Sequence, residues 1–217
     1  GINNPPVASP DNNETNEDTR LIVSAANGLL INDTDVENDV LSILQFTVNG
    51  TDYAPGSDVV MPEGTIKINA DGSYDFIPVL NYNGAVPRID YTITDGFDTT
   101  SSALRIEVKK VNDAPVADAD FNETFEGVTL TVAAIKGVLK NDSDVDGDVL
   151  NLSSFEVSGT TYLAGETATI LGEGTLKINL DGGYVFIPVA NFNGPVATVT
   201  YTVSDGVEAA SSTLDIT

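Results

Sequence analysis

Ile66, Ile68, Tyr74 and Phe76 alternate with polar residues, as do Ile89, Tyr91 and Ile93, and then Leu104, Ile106 and Val108. A period of two is the mark of a strand with one face buried and one face in water. Turn dipeptides separate these runs: Asn49-Gly50, Asp71-Gly72, Asp95-Gly96, Asp181-Gly182 and Asp205-Gly206. Asn-Gly and Asp-Gly favour tight hairpins because both residues tolerate positive φ. Short strands at this spacing, within about 100 residues, predict a Greek-key β-sandwich. Segments 21–30 and 130–139 are apolar enough to suggest a helix, but their Thr and Val content and their place in the series predict strand B.

The pattern occurs twice. Pro6-Val7-Ala8 returns as Pro115-Val116-Ala117, and Asn32-Asp33-Thr34-Asp35-Val36 as Asn141-Asp142-Ser143-Asp144-Val145, both at a shift of 109. After one inserted residue near Gly172 the shift is 110, and Tyr91-Thr92-Ile93-Thr94-Asp95-Gly96 matches Tyr201-Thr202-Val203-Ser204-Asp205-Gly206. Roughly half the aligned positions are identical. The period is far longer than that of solenoid repeats, so each copy is a whole domain. The expected division is 1–111 and 112–217, an all-β chain of two tandem sandwiches. The boundary falls in Lys109-Lys110-Val111-Asn112-Asp113-Ala114-Pro115, a short polar linker. A chain that starts at Gly1 and stops at Thr217 in a strand-like run reads as a piece of a longer protein.

Charge narrows the function. The 217 residues carry 33 acids and 9 bases, a net of −24, and both halves share it: 17 acids and 6 bases in 1–111, 16 and 3 in 112–217. Such a chain does not hold nucleic acid by its phosphates or settle on an anionic membrane. No apolar run is long enough to predict membrane insertion. With no cysteine and no histidine, disulfides, zinc–thiolate sites, cysteine nucleophiles and the usual general base are excluded.

The acid is placed in a pattern. Asp142-x-Asp144-x-Asp146-Gly147-Asp148 sets alternate carboxylates on a tight loop, and the first copy has Asp33-x-Asp35-x-Glu37-Asn38-Asp39. Calcium takes 6–8 oxygen ligands, which such a loop can supply. The spacing imitates the start of an EF-hand, yet the twelfth position is Ser153 where that loop needs Glu. Asn38 stands where Gly147 does, and Asn tolerates positive φ. Four carboxylates in seven residues repel one another unless a cation sits among them. If strand A runs away from the linker, strand B returns to it. The B–C loop of the second copy then lies beside Asn112 and Asp113. Asp205 of the F–G turn shares that end, and Asp181 is a further candidate there. Glu17, in the A–B turn of the first copy, faces the linker from its own side. Asp118 and Asp120 read equally as extra ligands and as polar residues of an edge strand. Tyr91 and Tyr201 read as core aromatics, and Asn81-x-Asn83-Gly84 and Asn191-x-Asn193-Gly194 as structural turns.

Val111-Asn112-Asp113-Ala114-Pro115-Val116-Ala117, the acidic loop 141–150, Phe186-Ile187-Pro188-Val189, Asn191-Phe192-Asn193-Gly194 and Tyr201–Gly206 together carry a resemblance. They are similar to the tandem cadherin-like (immunoglobulin-like) repeats of very large bacterial surface adhesins of the RTX type. The resemblance implies an extracellular, cell-surface extender that calcium stiffens, contributing to adhesion or biofilm formation. Its expected partners are neighbouring repeats of the same chain, with at most weak self-association. The adhesive ligand binds elsewhere in the parent protein. In cadherins calcium is held between domains by a linker Asn-Asp, a Glu from the preceding domain and an Asp-x-Asp from the following one. Carried over, those roles fall on Glu17, Asn112, Asp113, Asp142 and Asp144. The alternative is a carbohydrate- or protein-binding immunoglobulin-like module of a secreted multidomain protein. A glycosidase needs paired carboxyls in a cleft, which two near-identical sandwiches do not offer, and no enzyme activity is expected.

Overall fold

The computed structural model describes residues 2–217, and the chain divides into two compact units, Gly1–Val111 and Asn112–Thr217. Unit 1 contains β1 (Asp11–Asn16), β2 (Leu21–Val23), β3 (Ser42–Val48), β4 (Thr51–Tyr53), β5 (Asp58–Met61), β6 (Gly64–Ile68), β7 (Tyr74–Pro78), β8 (Gly84–Ala85), β9 (Ile89–Thr94) and β10 (Thr99–Lys109). Its two sheets run β1-β10-β9-β3-β4, with β8 also on β10, and β2-β7-β6-β5. Unit 2 contains β11 (Asp120–Asn122), β12 (Leu130–Val132), β13 (Asn151–Val157), β14 (Thr160–Leu163), β15 (Thr167–Ile170), β16 (Gly174–Ile178), β17 (Tyr184–Pro188), β18 (Val199–Ser204) and β19 (Ala209–Ile216). Its sheets run β11-β19-β18-β13-β14 and β12-β17-β16-β15. Each unit is an all-β sandwich, and none of its helical turns is long and apolar enough to cross a membrane.

The period of two decides what faces inward. In β9, Ile89, Tyr91 and Ile93 are buried while Asp90, Thr92 and Thr94 are not. Phe46, Phe76 and Tyr91 anchor the first core, and Phe155, Phe186 and Tyr201 the second. The first strand pairs with the last in parallel, Asp11 opposite Leu104 and Asp120 opposite Leu214, against an otherwise antiparallel sheet. That crossover lays the amino-terminal segment along the F–G hairpin and so brings its polar residues to the acidic loop.

The long strand B expected over 21–30 and 130–139 is corrected. The strands stop at Val23 and Val132, and 3-10 turns follow at Ala25–Asn27 and Ala134–Lys136. The turn drives a side chain into the core: Leu29 and Val138 are fully buried, their N–H groups donating to Gly72 O at 2.9 Å and Gly182 O at 3.0 Å. Glycine is required for that approach. A Cβ on Gly28 would lie 2.3 Å from Gly72 O, and one on Gly137 would lie 2.1 Å from Gly182 O. The apolar run therefore codes for a short strand and a plug, and Pro-free sequence alone does not separate them.

Candidate metal centres

In unit 2 a two-residue bridge begins the site. Val116 N–H donates to Ser143 O at 2.8 Å and Ser143 N–H returns to Val116 O at 3.0 Å. Asp142 and Asp144 flank the bridged Ser143 in the chain. Asp144 Oδ1 then closes the loop by accepting from Asp146 N–H at 2.9 Å and Asp148 N–H at 3.2 Å. Gly147 sits at φ 74 to complete the turn. The loop gathers Asp144, Asp146 and Asp148 so that one oxygen of each lies within 4.8 Å of the others, a grouping found in unit 2 alone among the described residues.

The amino-terminal residues of unit 2 dock on this loop. Asp113 N–H donates to Asp146 Oδ2 at 2.9 Å. Asn112 Nδ2 donates to Asp205 Oδ2 at 2.9 Å and to Glu208 Oε2 at 3.3 Å. Asp205 also accepts from Val207 and Glu208 N–H at 2.6 and 2.7 Å. The Asn112 hydrogen bond, with these backbone donors, holds the Asp205 carboxyl below its ordinary value.

Asp142 turns inward instead of joining the three-carboxylate group. Its Oδ1 accepts from Asp118 N–H at 2.9 Å and from Tyr201 Oη–H at 3.3 Å. Tyr201 also reaches Asp120 Oδ2 at 2.9 Å and Asp118 O at 2.7 Å. Burial pushes Asp120 up to about 6, and the charges of Asp142 and Asp118 add to it. Tyr201 is thus a core aromatic whose hydroxyl ties strand A to the acidic loop. The structure gives Asp120 a structural partner and Asp118 a backbone role. Asp181 Oδ1 accepts from Gly183 N–H at 3.0 Å in its own hairpin.

Unit 1 repeats the arrangement. Asp35 Oδ1 accepts from Glu37 and Asp39 N–H at 2.9 and 3.0 Å, and Asn38 takes φ 61, the geometry of Gly147. Asn4 Nδ2 donates to Glu37 Oε1 at 2.6 Å, and Asn3 Nδ2 donates to Asp95 and Asp98, both at 2.9 Å. Asp33 Oδ1 accepts from Ser9 N–H at 2.8 Å, while Tyr91 Oη–H donates to Asp11 Oδ2 at 2.6 Å. Burial pushes Asp33 up to about 6. An open cavity of about 440 Å³ lies against Asp33, Asp35 and Asp39. Glu17 closes the other end of the unit: it is 4% exposed, accepts from Val111 N–H through Oε1, and from Asn83 Nδ2 at 3.2 Å through Oε2.

The observation that points to a cation is the same in both units. Asp33 Oδ2 and Asp35 Oδ2, and their counterparts Asp142 Oδ2 and Asp144 Oδ2, are buried without a hydrogen-bond partner. An unsatisfied buried carboxylate oxygen is costly, and native structures keep few of them. An all-oxygen donor set with no nitrogen or sulfur suits a hard cation of calcium's size and flexible coordination. Sequence reasoning did not place Asn3, Asn4, Asp95, Asp98 and Glu208. The signal was available: the shifts of 109 and 110 map Asn112, Asp113 and Asp205 onto Asn3, Asn4 and Asp95, and Asp98 onto Glu208.

Comparison with known proteins bears on the family and the fold. The family description "bacterial cadherin-like domain" matches residues 3–110 and again 112–217. Two crystal structures of human protocadherin-24 EC1-2 share the fold. One has 12% identity and a TM-score of 0.53 over 100% of this chain and 99% of that one; the other has 15% and 0.51 over 98% of each. An endo-fucoidan hydrolase of glycoside hydrolase family 107 aligns at 16% identity with a TM-score of 0.35. It covers 98% of this chain, which spans 28% of that enzyme's length, and a score so low carries no argument. No curated protein sequence matches significantly. The chain belongs to the bacterial cadherin-like domain family, of which it holds two tandem members.

Proposed function

We propose that this chain is a calcium-binding structural segment of a large bacterial surface adhesin of the RTX type, an extender that contributes to adhesion or biofilm formation. Cadherin-like tandem domains are extracellular structural or adhesion modules, typically non-catalytic and usually calcium-binding. The observation that carries the reading is the matched pair of donorless carboxylate oxygens, on Asp33 and Asp35 and on Asp142 and Asp144. Around them Glu37 and Asp39, and Asp146 and Asp148, supply further oxygens at loop positions fixed by Asp35 and Asp144.

The set Glu17, Asn112, Asp113, Asp142 and Asp144 is part of the proposal, supported by motif spacing and by the cadherin resemblance. Asp205 belongs with it through its hydrogen bond from Asn112. Neighbouring repeats of the same chain are the proposed partners, and the adhesive ligand is assigned elsewhere in the parent protein. Calorimetric titration with calcium tests the reading. Saturable binding at both acidic loops is expected, weakened in one unit by Asp35→Asn and in the other by Asp144→Asn. Absence of calcium heat in the full chain at millimolar concentration sinks it.

A further inference from the structure

An open cavity of about 630 Å³ lies on unit 1 over β1, β10 and the chain that enters β9. Arg88 and Arg105 share its wall with the amides of Asn12 and Asn13 and the carboxylates of Glu14 and Glu107. Ala85, Val86 and Ile106 are its apolar part. None of these residues belongs to the acidic loop. Leu104, Ile106 and Val108 are buried, so Arg105 and Glu107 stand on the solvent face of β10, as Asn12 and Glu14 do on β1.

The charges on this face form two rows. In the first, Arg105 is opposite Asn12 on β1. On its other side Arg88 lies one step beyond the last registered pair, Leu104 and Ile89. Like charges facing each other across strands cost stability. Asp90 engages Arg88 at 2.6 Å, but Arg105 has no ion-pair or hydrogen-bond partner among the described residues. An arginine left open in a chain of net charge −24 is unusual on its own terms. The second row, about 7 Å further along the strands, sets Glu14 opposite Glu107. Lys109 takes Glu14, which leaves the Glu107 carboxylate open.

Unit 2 has closed the same positions. At a shift of 110, Arg88 and Arg105 become Thr198 and Asp215, and Thr198 Oγ1–H donates to Asp215 Oδ1 at 2.9 Å. At a shift of 109, Asn12 becomes Phe121, and unit 2 contains no arginine. A pair that satisfies itself in one repeat is thus a pair of cations in the other.

We infer that this face of unit 1 is a binding site for an acidic sugar of the uronate type. The guanidinium fork matches a carboxylate, and an anion between Arg105 and Arg88 relieves their repulsion. The carboxylate row repels a second anion, so the ligand carries one. The rest of the ligand must donate to Glu107 and both donate to and accept from Asn12, which hydroxyl groups do. A cavity of this volume is of the size that small ligands occupy. No aromatic ring lines it, so affinity is modest, with Kd of about 1 mM. The extender then makes a ligand contact of its own.

The test titrates the full chain with glucuronate, glucose and acetate in calcium buffer, followed by NMR. Glucuronate should give saturable shifts at the Arg105 Nε–H and Asn12 Nδ2–H signals, glucose none, and acetate shifts at least about ten-fold weaker in affinity. Arg88→Thr with Arg105→Asp installs the pair that unit 2 already tolerates, so it should fold and weaken glucuronate at least about ten-fold. Arg105→Gln alone should weaken it in the same direction. Contact of glucuronate with calcium at the acidic loops is common to all three proteins and cancels. Absence of saturable shifts, equal affinity for glucose or acetate, or binding untouched by both variants overturns the inference.

Discussion

Asp144 divides its carboxylate between two tasks. Oδ1 accepts from Asp146 and Asp148 N–H and shapes the loop, while Oδ2 is buried with no donor. Asp144→Asn keeps an oxygen for the loop and replaces the donorless one with an amide. It should weaken calcium binding in unit 2 at least about ten-fold while leaving the chelated protein as stable as before or slightly more so. Calorimetry and melting in chelator read the two effects separately. Asp120, half-buried in the same unit, gives a pH signature. Its folded value, pushed up to about 6 by burial, lies above the ordinary carboxylate value near 3.9. The folded state therefore binds more protons than the unfolded one between those values, and stability falls as pH rises through that window. The cost is full above pH 6 and absent below pH 4. Asp120→Asn keeps an acceptor for Tyr201 and removes the charge. In chelator it should stabilise the protein at pH 7 by about 1–2 kcal/mol, after discounting for partial exposure, and the gain should vanish by pH 4. Equal gains at both pH values would show that charge burial is not the cause.

At the scale of elements, the sequence is legible wherever one face is buried. The alternation in β9 and β10 places Ile89, Tyr91, Ile93, Leu104 and Ile106 inward without further information. The acidic loops were legible because their chemistry is local: Asp35 and Asp144 bond to backbone two and four residues on. The Tyr201–Asp120–Asp142 network was not, since it needs β11 laid parallel to β19, a pairing between residues some ninety apart. The plug after strand B was hidden for a similar reason, because its signal is a glycine facing another turn's carbonyl. Gly137→Ala tests that reading. The added methyl would meet Gly182 O at 2.1 Å, a backbone atom that cannot swing aside. The 3-10 turn must lift and Val138 must leave the core, a cost of about 2–4 kcal/mol. Gly147→Ala is the contrast. It meets nothing within 4 Å and pays only for φ 74, about 1 kcal/mol. Thermal melts of the two variants should differ accordingly. Similar small losses would show that the hairpin gives way easily.

For the whole molecule, the net charge of −24 and the donorless oxygens act in the same direction. Without cations, the loops hold carboxylates together against their repulsion, and the folded state is weaker for it. A ligand that binds only the folded form adds RT ln(1 + [L]/Kd), about 2.7 kcal/mol at a hundredfold excess over Kd. For a unit of about 100 residues, 1 kcal/mol moves the midpoint by about 4–8 °C, so calcium should raise melting by about 10–20 °C over chelator. Magnesium should do much less, because it demands small octahedral geometry and resists dehydration. The repeat makes the experiment internally controlled. Each unit carries its own loop, so Asp35→Asn should lower one transition in calcium and Asp144→Asn the other, and the double variant should keep no more than about half of the calcium-dependent rise. General screening by sodium at matched ionic strength moves both units together and ignores these substitutions. If wild type melts at the same temperature in calcium and in EDTA, the acidic loops are solvated turns and the calcium reading falls.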